Sequence, residues 1–123
     1  MSLYNQLKAR RANNEIIRIG LIGVGKFGTM FASQVIRLPG IHVVGVADLN
    51  IQSCKSNLKL AGWKPEMYDA KTLDKALESG TTCILENFVS LVNEPRIDMI
   101  IECTGNPVKA VDHIIAAFES GKH

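Results

Sequence analysis

The sequence predicts an α/β fold built on a doubly wound parallel β-sheet. Near-continuous apolar runs of strand length stand at residues 16–22, Ile41–Ala47 and 97–102. Such runs, without polar alternation, are typical of parallel strands that are buried on both faces. The segments between them place apolar residues at helical spacing and end in glycine or proline. This alternation of strand and helix predicts right-handed crossovers between parallel strands.

The remaining elements follow in order along the chain. A short polar helix is predicted over 2–12, either as a solvated helix or as an arm that docks on a partner. The first long helix begins at Lys26 and ends before Pro39 and Gly40. Its predicted inner face consists of Phe27, Met30, Phe31, Val35 and Leu38. Further helices are predicted over 51–61, 72–77, 87–92 and 108–118, with a third strand over 81–85.

A glycine turn joins the first predicted strand to the first long helix. Gly23, Gly25 and Gly28 stand at G-x-G-x-x-G spacing, which is the dinucleotide-binding fingerprint of Rossmann-type folds. The first glycine permits a tight turn, the second lets the backbone approach a pyrophosphate, and the third lets the helix pack closely on the strand. We therefore expect a dinucleotide pyrophosphate to lie on the turn and the helix N-terminus, at Gly23, Val24, Gly25, Lys26, Phe27 and Gly28.

An acidic residue ends the second apolar run. Asp48 lies 20 residues after Gly28, where a carboxylate would accept hydrogen bonds from the adenosine ribose hydroxyls. The same carboxylate would repel a 2′-phosphate, and the adjacent Leu49 and Asn50 offer no arginine to offset that repulsion. Asp48 and Leu49 are therefore predicted cofactor contacts, and the residues by themselves favour NAD over NADP. The alternative is a plain βα turn in which Asp48 only caps the next segment.

A second loop follows the apolar run 97–102. Asn106 suits a helix N-cap, and Pro107 suits the first helical position. Because the carboxyl ends of parallel strands meet at one edge of a sheet, this loop and the glycine turn should lie together where the first and fourth strands diverge. We expect the loop to line the nicotinamide end of the cofactor, through Cys103, Thr104, Gly105, Asn106 and Pro107. The alternative is an ordinary capped βα loop.

Composition and charge exclude several classes of function. The chain has 123 residues, of which 46% are hydrophobic and 21% charged, as is typical of one soluble globular domain. A formal net charge of +2 is too small to indicate nucleic-acid binding. No apolar run approaches the about 20 residues that cross a membrane, and the N-terminus has no secretory signal. We expect a cytoplasmic protein that binds neither nucleic acid nor membrane.

The cysteines and histidines do not form a metal site or a disulfide framework. Cys54, Cys83 and Cys103 are odd in number and lack C-x-x-C spacing, which fits a reducing compartment and buried packing thiols. His42 and His113 have no metal-ligating partner at i+3 or i+4, so we interpret both as structural. The chain offers no catalytic nucleophile or metal ligand of its own.

Several segments resemble one family of oxidoreductases. The segments 20–30, with K-F-G-T-M, 43–50, 101–107, with C-T-G-N-P, and the closing 119–123, E-S-G-K-H, are similar to those of the homoserine dehydrogenase-like NAD(P)-dependent oxidoreductases. More narrowly, they resemble the branch of SAF-domain oxidoreductases, which includes enzymes like 1-deoxy-D-xylulose 5-phosphate reductoisomerase. The Gfo/Idh/MocA dehydrogenases share the broader pattern, including the G-K-H ending. The similarity runs from about Leu3 to His123.

The resemblance implies the nucleotide-binding part of a longer enzyme. In these families G-K-H leads into a further strand and then a substrate domain, so residues 15–123 would form an NAD(P)-binding Rossmann domain behind an N-terminal arm, 1–14. The sheet would then be truncated before its last strands, with an exposed edge that could pair with a second copy in a homo-oligomer. The family contains NADPH-using members, so the cofactor remains NAD or NADP.

The expected activity follows from that resemblance. We expect the full-length protein to position nicotinamide for hydride transfer to a small polar substrate, whereas this chain alone should bind dinucleotide without turnover. An alternative of a different class is a regulatory module that senses the nucleotide without transferring hydride. A methyltransferase with a similar glycine loop fits the G-x-G-x-x-G spacing and the position of Asp48 less well.

Overall fold

A computed structural model of the chain describes residues 5, 6, 8, 9, 16–104 and 121. The predicted helix over 108–118 therefore lies outside the described residues, as does most of the N-terminal arm, of which the four described residues are helical and exposed. The strands are β1 (Ile17–Ile22), β2 (Ile41–Ala47), β3 (Cys83–Leu85) and β4 (Met99–Glu102). The helices are α1 (Lys26–Val35), α2 (Ile51–Leu60), α3 (Leu73–Ser79) and α4 (Val89–Val92), with a 3₁₀ turn at Pro65–Met67.

The sheet is four-stranded, in the order β3-β2-β1-β4. All three pairings are parallel. The chain moves outward from β1 to β3 on one side of the sheet and then crosses to place β4 on the other side of β1. This order confirms the predicted Rossmann-like parallel sheet, and it puts the point of divergence between the ends of β1 and β4, where Ile22 pairs with Glu102.

Two hydrophobic clusters cover the two faces of the sheet. One cluster joins β1 and β2 to α1 and α2, with Leu21, Val46, Ala32 and Leu58 fully buried. The other joins the opposite face to α3 and α4, through Ile22, Val44, Ala76 and Leu91 among others. The strands are therefore buried on both sides, which explains why their sequences are apolar throughout rather than alternating.

The structure confirms part of the predicted inner face of α1, since Val35 is buried and Phe31 packs against the core, and it corrects the rest. The helix lies against the sheet through its small residues, since Gly28, Ala32 and Val35 form one buried line at helical spacing. Met30 lies off that line and is 50% exposed. Leu38 is half-buried but lies beyond the helix, whose last turn tightens into i→i−3 hydrogen bonds after Val35. The side chain of Phe27 lies outside the described part of the structure.

Strands β3 and β4 are shorter than the predicted segments 81–85 and 97–102, and a side-chain hydrogen bond stands just before the start of each. At β3, the Thr82 hydroxyl donates to the carbonyl of Val43 at 2.6 Å, and the ladder begins one residue later. At β4, Asp98 takes the place of a strand residue. Its carboxylate accepts from the N–H of Arg18 at 2.9 Å, while its own N–H donates to the carbonyl of Arg18 at 2.7 Å.

The outer side of β4 is an edge of the sheet as far as the structure describes it. Within the described residues β4 pairs with β1 alone, and Met99 is 38% exposed. Such an edge was expected from the sequence, and its pairing with a second copy stays a prediction. No helix among the described residues is long and apolar enough to cross a membrane.

Candidate functional site

Three loops meet at the carboxyl edge of the sheet. The glycine turn follows β1, the segment 48–50 follows β2, and Cys103 and Thr104 follow β4. Backbone hydrogen bonds join the strand ends, from Gly23 N–H to Ala47 at 2.8 Å and from Cys103 N–H to Ile22 at 2.8 Å. The topology thus places the described residues of all three loops at one edge.

The three glycines of the turn have different surroundings. Gly23 has a φ of 87°, and a Cβ there would lie 2.9 Å from the backbone N and Cα of Thr104. Gly28 is buried, and a Cβ there would lie 3.2 Å from the carbonyl carbon of Gly23 and collide with its oxygen. Gly25 is open, since a Cβ there would meet nothing within 4 Å. The first and third glycines are therefore required by packing, whereas the second leaves accessible backbone.

Helix α1 begins directly at the open glycine. Gly25 is its N-cap, and the first helical hydrogen bond runs from the N–H of Thr29 to the carbonyl of Gly25 at 2.9 Å. The N–H groups of Lys26, Phe27 and Gly28 precede that bond, and no acidic residue stands in the first turn. The positive end of the helix dipole therefore faces the turn, an arrangement that favours an anion.

Asp48 links the second loop to the glycine turn. Its Oδ2 accepts from the N–H of Val24 at 2.9 Å, and its Oδ1 accepts from the N–H of Asn50 at 3.0 Å. A carboxylate has about four acceptor positions, so this half-buried side chain retains capacity for ligand hydroxyls. The N-cap of α2 is Asn50, whose side chain accepts from Ser53 N–H at 2.9 Å. Asp48 is therefore more than a helix cap.

The two thiols near the site are poor nucleophiles. Burial, together with the charge of Asp48, raises the pKa of Cys54 to about 12. Burial also raises the pKa of Cys103, and the neighbouring Glu102 adds to this shift. Both thiols stay protonated near neutrality, in agreement with the structural role expected for them. The part of the chain that the structure describes holds no group of three or more side chains suited to bind a metal.

The loop after β4 is described for its first two residues. The Thr104 N–H donates to Glu102 Oε1 at 2.6 Å, and the Thr104 backbone packs against Gly23. The loop therefore closes on the glycine turn, as expected. Gly105, Asn106 and Pro107 lie outside the described residues, so their predicted contact with the cofactor stays a prediction.

One residue at the turn was missed by the sequence reasoning. Asn57 of α2 donates a hydrogen bond from its side-chain amide to the carbonyl of Val24. The sequence does contain an indication of this contact, because Asn57 shares a helical face with the buried Cys54 and Ala61. A polar side chain on an otherwise apolar face requires a partner, and here the partner is the glycine turn.

The chain matches one protein family over most of its length. The profile of the GFO/IDH/MocA family, an oxidoreductase family with an NAD-binding Rossmann fold, matches residues 17–123. The match includes all three loops of the site. No curated protein matches the chain.

Solved structures share the fold at low sequence identity. A proposed oxidoreductase from Klebsiella pneumoniae is 21% identical with a TM-score of 0.61, over 87% of this chain and 25% of that one. Scyllo-inositol dehydrogenase from Lactobacillus casei, with bound NAD(H) and scyllo-inositol, is 19% identical with a TM-score of 0.59, over 88% and 26%. An NAD-binding protein from Listeria innocua is 19% identical with a TM-score of 0.57, over 87% and 26%.

The chain thus spans about a quarter of the length of these proteins. Of the two family patterns that the sequence resembles, the comparisons support that of the Gfo/Idh/MocA dehydrogenases and not the homoserine dehydrogenase-like branch. The match extends over most of the chain, from the first residue of β1 onward. The chain therefore belongs to the GFO/IDH/MocA oxidoreductase family and contains the NAD-binding Rossmann fold of that family.

Proposed function

We propose that this chain binds NAD(H) at the carboxyl edge of its sheet and presents the nicotinamide for hydride transfer in a longer oxidoreductase. The observation that carries the proposal is the juxtaposition of an open Gly25, the N-terminus of α1 and the Asp48 carboxylate. The open glycine and the helix N-terminus suit the pyrophosphate of a dinucleotide, and the carboxylate suits the two hydroxyls of its adenosine ribose.

The pyrophosphate would lie over the open glycine. Because a Cβ at Gly25 would meet nothing within 4 Å, the backbone there is accessible to a bulky anion. The N–H groups of Lys26 and Phe27 precede the first helical hydrogen bond, so they are available as donors at the positive end of the helix dipole. The exposed Lys26 adds a positive charge at the same place.

The adenosine ribose would lie on Asp48. Two backbone N–H groups hold this carboxylate at 2.9 and 3.0 Å, which orients it before a ligand arrives and leaves further acceptor positions for the 2′- and 3′-hydroxyls. A 2′-phosphate would meet the negative charge directly. Leu49 is 71% exposed and offers adenine an apolar surface but no cation for a phosphate. We therefore propose NAD rather than NADP as the cofactor.

The nicotinamide end would lie toward the loop after β4, lined by residues 103–107. The bound nicotinamide supplies the hydride chemistry, and this chain supplies orientation and charge. Since the chain spans about a quarter of the matched proteins, we propose that the substrate-binding and catalytic residues lie in another part of the full-length protein, which would act on a small polar substrate. Residues 15–123 would form the cofactor domain behind the arm 1–14.

Parallel titrations with NADH and NADPH test this proposal. Trp63 is the single tryptophan, it is buried, and energy transfer from it to bound reduced nicotinamide gives a binding signal. We expect NADH to bind at least about tenfold more tightly than NADPH. Asp48→Asn should weaken NADH binding by about 10- to 100-fold, because hydrogen bonds to a charged group are lost. It should also reduce the difference in affinity between NADH and NADPH.

The matched control is Asp69→Asn, which removes an exposed acid next to the Ala70–Cys83 bridge at the first residue of β3, whereas the site lies at the carboxyl ends of the strands. It should leave both affinities within about twofold of the unsubstituted chain. Absence of binding by either cofactor, or tighter binding of NADPH, would contradict the proposal.

A further inference from the structure

Two polar side chains hold the backbone of Val24, the central residue of the glycine turn. The Val24 side chain is buried in the core, with 1% of its surface exposed. Its N–H donates to Asp48 Oδ2 at 2.9 Å, and its carbonyl accepts from the Asn57 side chain. A carbonyl can only accept, so the amide nitrogen of Asn57 must face it. Both backbone groups of Val24 are therefore held by the segment that runs from β2 into α2.

The orientation of the Val24 carbonyl determines where the next N–H points. The carbonyl of Val24 and the N–H of Gly25 belong to one peptide unit, which is planar and trans, so they point in opposite directions. Asn57 holds the carbonyl toward α2, and the N–H of Gly25 therefore points away from α2. Gly25 is the open position of the turn. The hydrogen bond from Asn57 thus sets the direction of a donor at the place where an anion would approach.

Such a restraint matters because Gly25 tolerates both signs of φ. Without a side chain, glycine adopts positive and negative φ about equally well, so the peptide before it can flip at little steric cost. The observed φ of Gly25 is −82°. A flip would turn the carbonyl oxygen of Val24, rather than the N–H of Gly25, toward the open side. An anion would then meet a negative partial charge in place of a donor.

We propose that Asn57 is a positioning residue for pyrophosphate binding, which it supports by holding the Val24–Gly25 peptide in its donor-presenting orientation. This inference rests on the proposed function, because it needs a diphosphate ligand at Gly25. Asn57 does not itself contact the ligand. Its role is to prevent a peptide flip that the open glycine would otherwise permit.

The test compares ligands with and without phosphate. Asn57→Leu keeps a similar volume and removes the donor, and the probes are NADH, ADP-ribose and adenosine. We expect Asn57→Leu to weaken the binding of NADH and of ADP-ribose by about 10- to 100-fold, which is the range for one hydrogen bond to a charged group. Adenosine, which lacks the pyrophosphate but keeps the ribose hydroxyls, should change by less than about twofold. Binding of adenosine can be followed by NMR shifts.

A second variant tests the pH dependence of binding, which a purely packing role of Asn57 would not affect. The carboxylate introduced by Asn57→Asp can only accept when ionised, but it regains an O–H donor when protonated. Its affinity for ADP-ribose, relative to the unsubstituted chain, should therefore recover as the pH falls from about 6 to about 4, where an ordinary aspartate becomes protonated. Ser56→Asp is the matched control, since it adds the same charge at an exposed neighbouring position of α2. It should show no such recovery.

The outcomes separate this inference from the proposed function. If the unsubstituted chain binds none of NADH, ADP-ribose and adenosine, the proposed function fails and the inference fails with it. If it binds NADH and Asn57→Leu binds it equally well, the inference alone is overturned. Equal losses for ADP-ribose and adenosine, or an Asn57→Asp affinity that does not recover at low pH, would show a general packing role and would also overturn it. A selective loss with pH recovery supports it.

Discussion

Replacing each of two glycines in the turn by alanine should separate folding from binding. Gly25 and Gly28 lie three residues apart and are both part of the G-x-G-x-x-G motif, yet their surroundings differ. A new methyl group at Gly25 enters open space. A new methyl group at Gly28 enters the contact between α1 and the turn. We expect Gly25→Ala to lose dinucleotide binding with little loss of stability, and Gly28→Ala to lose stability.

The cost at Gly28 follows from the backbone that it faces. The added Cβ would lie 3.2 Å from the carbonyl carbon of Gly23 and would collide with the attached oxygen. Backbone cannot move aside as a flexible side chain can, so the upper part of the overpacking range applies, about 2–3 kcal/mol. Alanine in a helix recovers about 1 kcal/mol. The net loss is about 1–2 kcal/mol, or about 4–8 °C in Tm for a chain of this length.

The change at Gly25 should have a small effect on stability. The added methyl group meets nothing within 4 Å, so it disturbs no packing contact. Alanine is a poorer N-cap than glycine, which costs about 0.5–1 kcal/mol. Stability should therefore stay within about 1 kcal/mol of the unsubstituted chain. The methyl group would occupy the space proposed for the pyrophosphate and displace it from its backbone donors, so NADH should bind about 10- to 100-fold more weakly.

Both quantities can be read from one fluorophore. Trp63 is 4% exposed and donates its indole N–H to the carbonyl of Ala32 in α1 at 2.9 Å, so its emission reports the unfolding of that helix. Energy transfer from Trp63 to NADH reports binding. Two results would contradict this separation of folding from binding: a Tm loss in Gly25→Ala as large as that in Gly28→Ala, or unchanged NADH affinity in Gly25→Ala.

Two further predictions concern stability. The neutral ring of His42 donates a hydrogen bond from Nε2–H to the carbonyl of Thr81 at 2.6 Å. Burial lowers the pKa of His42 below 6.5, so protonation opposes folding. The contribution of His42 to the free energy of unfolding should be complete above pH 6.5, its pKa in the unfolded chain, and should be lost as the pH drops toward the lowered pKa of the folded state. Urea midpoints measured across that window should depend less on pH in His42→Gln. An equal pH dependence in the variant would contradict this role of His42. In α2, Leu58 is fully buried and Leu60 is 80% exposed. Leu58→Ala should cost about 2–5 kcal/mol and Leu60→Ala less than about 0.5 kcal/mol in urea unfolding, and similar losses would contradict the packing described here.

Local chemistry in the sequence determined most elements of the fold. The apolar run Ile41–Ala47 is β2 over its whole length, because a strand buried on both faces needs no other signal. Thr72 accepts a hydrogen bond from the N–H of Lys75 and starts α3, and Gly80 ends it with a φ of 71°. The glycine turn was also evident, since Gly23 and Gly28 each stand where the structure leaves no room for a side chain.

The tertiary structure decided which polar groups meet at the site. The carboxylate of Asp48 is bound by Val24, 24 residues earlier, and the amide of Asn57 reaches the same residue across 33 positions. Sequence spacing could place Asp48 at the edge of the sheet, but it could not show these partners. Such contacts depend on how α2 packs beside the turn, and no local pattern encodes that packing. For the same reason the exposure of Met30 was not predicted, because the rotation of α1 is set by how closely Gly28 lets it approach β1.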